Sequence, residues 1–238
     1  MDHLTPDTVV LCITWFVVFL FSTTLHEASH AFASYRLGDP TAYHGGQVSL
    51  NPLPHIRREP IGMVVVPLVT FFANGWMMGW ASAPYDPDWE HRYPRRSALM
   101  ALAGPASNFV LALAAGLGIR AGTLMGVFAP PPTASFAHMT AAASGSGAMA
   151  GVVVPLSILF SLNLLLFLFN LLPLPPLDGS GILPVLLPAR AAEVYNRVRS
   201  TPALSLIGLL VAWQVFPMLY DPLESLALKL LYPGLHYS

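Results

Sequence analysis

An apolar run from about Val9 to Tyr35 is interrupted near its end by His26-Glu27-Ala28-Ser29-His30. The run is long enough to cross a bilayer, which takes about 20 apolar residues as a helix. A chain that starts this way has to satisfy every backbone polar group internally, so helices are the natural solution. Ionisable side chains at hydrocarbon depth are costly and mark function. On a helix, residues four apart share a face. His26 and His30 therefore present two imidazoles to one metal ion, with Glu27 beside them to take a proton from a water at that ion.

The composition agrees with a membrane setting. Of 238 residues, 55% are hydrophobic and 10% charged, against about a quarter charged in soluble domains. The expected fold class is an all-α polytopic membrane protein, a single membrane-embedded domain over 1–238. It has about four transmembrane helices, re-entrant or interfacial segments and a small surface β-hairpin. A net charge of −1 gives no case for nucleic acid. The lone cysteine, Cys12, excludes a disulfide framework and a cysteine-based zinc site. Met1 to Asp7 has no basic residue, and the first run is too long for a signal-peptide core. A retained transmembrane helix is expected there.

Thr5-Pro6-Asp7 reads as a helix start, and Gly38-Asp39-Pro40 as its stop. Tyr43 to Pro52, with Gly45 and Gly46, reads as a short strand or hairpin. Ile61 to Ala73 is apolar but short and contains Pro67, which predicts a re-entrant or interfacial segment. Asn74 to Pro87 reads as an extended surface strand. Ser97 to Ile119, Gly151 to Leu172 and Pro202 to Tyr220 are the further spans. Arg120 to Ala150, rich in small residues and proline, reads as a mobile loop. Asn170 to Gly179 is a proline-broken tract that cannot remain α-helical. Ala189 to Arg199 reads as an amphipathic surface helix, and Leu223 to Leu231 as a separate interfacial piece.

Basic residues set the orientation. Arg36, Arg57, Arg58, Arg92, Arg95 and Arg96 fall between the first two spans, and Arg190, Arg197 and Arg199 between the last two. Only Arg120 and Lys229 fall on the other side. The N-terminus is then outside, in a multi-pass protein of the cell membrane whose active site lies towards the cytoplasm. His26 and His30 sit near the cytoplasmic end of the first span, and Asp178 follows the third span at a similar depth.

Nitrogen and oxygen ligands in a hydrolytic arrangement favour one Zn²⁺, held by three protein ligands with an open fourth position. Asp178, flanked by apolar sequence, is the leading third ligand; its Asp-Gly pair also reads as a turn. His55 is the next candidate, with a surface histidine as the plainer reading. Asn108 and Asn170 lie within or at the end of apolar spans, where an amide has to be hydrogen-bonded. Each reads either as interhelical glue or as a group that polarises a substrate carbonyl. His3, His44, His91, His138 and His236 are expected to be solvated.

These motifs have a recognisable order. His26-Glu27-x-x-His30, Ser49-Leu50-Asn51-Pro52-Leu53-Pro54-His55, Pro60-Ile61-Gly62, Gly79-Trp80-Ala81, Ala103-Gly104-Pro105-x-x-Asn108 and Asn170-x-x-Pro173-x-Pro175-x-x-Asp178-Gly179 follow one another along the chain. In this the sequence resembles the site-two protease family of intramembrane zinc metalloproteases, specifically its compact members without a PDZ insertion. The resemblance implies zinc ligation by His26, His30 and Asp178, with Glu27 as general base. It further implies a substrate or oxyanion contact at Asn108, and a place near the site for His55. The implied partners are the lipid bilayer and a membrane-protein substrate with a transmembrane helix, cleaved in regulated intramembrane proteolysis. The rival from another class is a catalytically silent zinc-binding regulatory protein of the membrane. Glu27 discriminates, since a purely structural site has no need of a carboxylate beside the water.

Overall fold

The computed structural model describes residues 5–144 and 147–235; His3 and His236 lie outside them. Helix α1 spans Pro6–Leu37. The Thr5 hydroxyl accepts from the Thr8 amide at 3.2 Å and closes its first turn. Gly38 ends it at φ 105°, a left-handed conformation that glycine adopts without a Cβ clash. Two short helices follow, α2 (Thr41–His44) and α3 (Pro52–Arg58). A π-helical turn at Ile61–Val65 then runs into α4 (Val66–Asn74). After α5 (Pro87–Arg92) come α6 (Pro94–Leu124), α7 (Ala150–Asn170), α8 (Gly179–Leu186), α9 (Ala189–Arg199) and α10 (Pro202–Leu231).

Four of these helices, α1, α6, α7 and α10, are long and apolar enough to cross a membrane. Helix α6 is the central pillar, packed against α1, α7 and α8. One apolar core lies between α1, α4 and α7, around Trp15, Phe19, Phe71, Met77, Ile158 and Leu162. A second joins α6, α7 and α10 around Ile119, Phe160, Phe216 and Leu228. Outward faces carry exposed large apolar side chains such as Val10, Val17, Leu113 and Leu210. That pattern suits a lipid-facing surface, since the bilayer replaces water as the solvent.

Several local expectations are corrected. The stretch 43–52 is not a hairpin: Tyr43 and His44 complete α2, and Asn51-Pro52 opens α3. The Asn51 side-chain Oδ1 accepts from Leu53 N at 3.0 Å, and proline suits the first helical position because its missing N–H would be unpaired anyway. The sheet among the described residues lies instead in the connection read as a loop, where β1 (Phe128–Ala129) pairs antiparallel with β2 (Ala141–Ala142). Leu223 to Leu231 is no separate piece. Helix α10 runs through Pro217 and Pro222 to Leu231, as prolines are tolerated in helices of this kind when neighbouring groups satisfy the freed carbonyls. Ile61–Asn74 is an apolar helix shorter than the four candidate spans; Pro67 lies in the first turn of α4 rather than breaking it.

The surface strand expected over Asn74 to Pro87 is not formed: Asn74 ends α4, and residues 77–86 have no regular secondary structure and pair with no strand among the described residues. Their position is fixed by close packing at both ends. A Cβ on Gly79 would strike Phe19 and the Gly62 carbonyl, and one on Gly62 would strike Trp80. At the other end the Asp86 amide donates to the Asp39 carboxylate at 3.0 Å. The segment therefore runs alongside α1 from the level of Phe19 to beyond its C-terminus, past the depth of His26 and His30. Arg199 of α9 donates to Glu90 of α5 at 2.5 Å, a half-buried ion pair that ties this side together. Burial and the neighbouring Glu90 carboxylate push the Tyr85 phenol up, so it stays neutral.

Candidate metal centre

Helix α1 buries one stripe, Ser22, Thr23, His26, Glu27, His30 and Ser34 among others, at the three- and four-residue spacing of a helix face. His26, Glu27 and His30 are each 7% exposed or less. Asp178 comes to them from the far side of the chain. After Asn170 the backbone turns sharply through Pro173, Pro175 and Pro176, with Leu174 N bonded to Leu172 O at 2.8 Å and Leu177 N to Leu174 O at 2.9 Å. The turn folds so tightly onto the end of α7 that a Cβ on Gly179 would strike the Leu171 and Leu172 carbonyls. Asp178 thus serves both as the residue that leads into α8 and as a member of the cluster.

The three donor atoms converge. His26 Nε2 and His30 Nε2 are 3.0 Å apart, and Asp178 Oδ2 is 3.1 Å from the first and 3.3 Å from the second. A tetrahedral zinc with ligands at about 2.0–2.1 Å spaces them about 3.3 Å apart. The opposite ring nitrogens decide which protons are present. His30 Nδ1 lies 2.7 Å from the Met100 carbonyl, which only accepts, so Nδ1 carries the proton. His26 Nδ1 lies 2.5 Å from Asn108 Oδ1 and likewise donates. In the neutral rings both Nε2 atoms are then lone pairs, facing each other and a carboxylate. Three acceptors at this separation repel one another unless a proton or a metal cation sits among them, and this donor set suits zinc. The missing side chain at Gly104 of α6 leaves the room: a Cβ there would collide with Nε2 of both histidines.

The other predicted residues are distributed around this centre. Asn108 is fully buried, and both ends of its amide are bonded: Oδ1 to His26, and Nδ2 to Asn163 Oδ1 at 2.7 Å. His55 is buried rather than on the surface, at 1% exposure. Its Nε2 donates to the Ser49 carbonyl at 3.1 Å, and it is close enough to interact electrostatically with Glu27. Asn170 is not brought to the cluster; its amide nitrogen donates to Leu166 O one turn back, at 3.0 Å. His44, His91 and His138 are exposed, as expected. Sequence reasoning missed Asn163, although the signal was present: it is an amide within the most apolar of the four spans. It missed Met100 as well, which acts through its backbone and leaves no trace in side-chain identity.

Comparison with known proteins points the same way. Residues 14–213 match Peptidase family M50. YwhC of Bacillus subtilis, which bears the name of a zinc metalloprotease, is 32% identical over 215 residues, covering 88% of this chain and 87% of its own. Rip2 of Mycolicibacterium smegmatis, similarly named, is 30% identical over 69% of this chain and 53% of its own. Rip2 of Mycobacterium tuberculosis strain H37Rv is 30% identical over 81% of this chain and 63% of its own. No solved structure gives a significant match. The matched region takes in both halves of the cluster, from the histidines of α1 to the aspartate that precedes α8, and the chain belongs to Peptidase family M50, the site-two protease family of zinc metalloproteases.

Proposed function

We propose that this zinc metalloprotease hydrolyses peptide bonds in or beside transmembrane segments of other membrane proteins. In this reading His26, His30 and Asp178 hold the metal and Glu27 is the general base. The observation that carries it is the convergence of His26 Nε2, His30 Nε2 and Asp178 Oδ2 inside a helix bundle, at the level of an apolar span. When bound, zinc supplies a Lewis acid that polarises the scissile carbonyl and acidifies water. Glu27 takes the proton of the attacking water and passes it to the departing amine. Asn108 and the Met100 carbonyl orient the two imidazoles. His55, buried beside the site, and Asn170, at the last residue of α7, flank the substrate path.

A helical substrate hides its carbonyls in its own hydrogen bonds, so it must unwind to be cut. Trp80 N is bonded to Gly62 O and Met78 N to Thr70 Oγ1, but residues 81–85 make no backbone hydrogen bond among the described residues and offer their backbone for strand addition beside α1. On the neighbouring face, a cleft of about 300 Å³ between α1 (Leu25, Ala28, Ser29, Phe32) and residues 48–50 leaves space beside the motif. The arginine distribution supports a cell-membrane protein with this site towards the cytoplasm.

Reconstitution in liposomes with a single-span substrate tests the proposal. Cleavage mapped by mass spectrometry should fall within or next to the span. Cleavage confined to soluble peptides would contradict it. Replacing Ala81 with proline should lower cleavage about tenfold or more without loss of zinc, since it removes a backbone donor from the proposed strand. Unchanged cleavage would exclude strand addition at that position.

A further inference from the structure

Behind the metal-facing atoms lies a chain of buried amides with a definite direction. It begins at a backbone carbonyl. Asn163 Nδ2 donates to Leu159 O at 2.8 Å and to Ser22 Oγ at 2.9 Å. A carbonyl only accepts, so the nitrogen of Asn163 must face it, and Oδ1 must face the other way. That oxygen lies 2.7 Å from Asn108, whose nitrogen is therefore the end that meets it. The oxygen of Asn108 is left facing His26 Nδ1. Ser22, Asn108 and Asn163 are all fully buried, so water cannot substitute for any of these bonds. Reversing the Asn108 amide would set nitrogen against a protonated ring nitrogen and oxygen against oxygen.

We infer that Asn163 of α7 is a positioning residue that fixes the tautomer of His26 through Asn108. The inference rests on the ligand set proposed above. With Asn163 in place, the proton of His26 is held on Nδ1 and Nε2 is free to bind metal. Without the Asn163 oxygen, Asn108 loses its reason to keep one orientation. Its amide can turn its nitrogen to His26 Nδ1, and the ring proton then moves to Nε2, where it blocks coordination. The same relay joins three spans, α1, α6 and α7, so helix packing and metal readiness are linked at one point. His30 needs no such relay, because the Met100 carbonyl cannot reverse.

Nitrogen-15 NMR of histidine-labelled, metal-free wild-type protein reads the tautomer directly. His26 protonated at Nδ1 is expected; His26 protonated at Nε2 overturns the inference. This reading needs no zinc, so it judges the relay even if the metal is held by other residues. Chelator competition then measures zinc affinity in Asn163→Leu, which keeps the branched shape but removes the amide. A loss of about 10–100-fold is expected, the usual range for groups that orient a ligand. Adding Asn108→Asp to that variant should restore affinity to within about threefold, because a carboxylate accepts from Nδ1 in any orientation. Unchanged affinity in Asn163→Leu, or an equal loss with and without Asn108→Asp, overturns the inference in favour of packing alone.

Discussion

Glu27→Gln is expected to lower proteolysis about 10²–10⁴-fold, the usual contribution of a positioned general base, while leaving zinc bound. Glutamine matches the size of glutamate but cannot take a proton. Glu27 lies between the two histidines in sequence and is buried with them on the inward stripe of α1. Its electrostatic neighbours are His26, His30, Asp178 and His55. The variant thus separates a catalytic site from a regulatory zinc site. Turnover of a membrane-inserted substrate, measured beside zinc content, gives the answer. Equal turnover in both proteins removes Glu27 from the chemistry; loss of zinc from the variant makes Glu27 a support of the metal instead.

Gly104→Ala is expected to empty the metal centre. The added methyl group would collide with Nε2 of both His26 and His30, and neither has space to retreat, since each ring is held from behind by Asn108 or Met100. Either the imidazoles swing away from Asp178 or α6 moves off α1, which costs about 1–3 kcal/mol in a well-packed interior. In both cases zinc occupancy should fall below about a tenth of wild type while the helical content remains, for an overpacking cost of that size is below a domain's total stability of about 5–15 kcal/mol. Gly118→Ala on the same helix is the control, since its Cβ would meet only Leu156, at an ordinary 3.9 Å. Full zinc occupancy in Gly104→Ala, by elemental analysis, would show that the metal site lies elsewhere.

The legible part of this protein followed from the solvent. In a bilayer, apolar length and the obligation to close backbone hydrogen bonds leave little choice, so the four spans could be read directly, with Thr5 and Gly38 marking the ends of the first. The three cluster residues were legible because ionisable groups stand out against apolar sequence. Interfacial segments were harder. Residues 43–58 carry glycines and prolines that suit a hairpin or a helix start equally well, and tertiary contacts decide; His55, buried against Ser49, is one of them. The Leu223–Leu231 stretch looked separate because it is too short to span alone, yet α10 continues through it. At the centre, sequence named Asn108 as interhelical glue or as a substrate contact, and the bonded amide fits the first, but its partners were not legible. One of them, Asn163, lies 55 residues later on another helix, and pairing between helices has no signature at fixed spacing.

The central claim is that His26, His30 and Asp178 share one zinc ion. Elemental analysis joined to zinc K-edge absorption of the purified protein tests it most directly, on wild type and on Asp178→Ala. The prediction is one zinc per chain, with two imidazole nitrogens and a carboxylate oxygen at about 2.0–2.2 Å, and loss of most of that zinc from the variant. A full complement of zinc in Asp178→Ala with an unchanged absorption spectrum would contradict it.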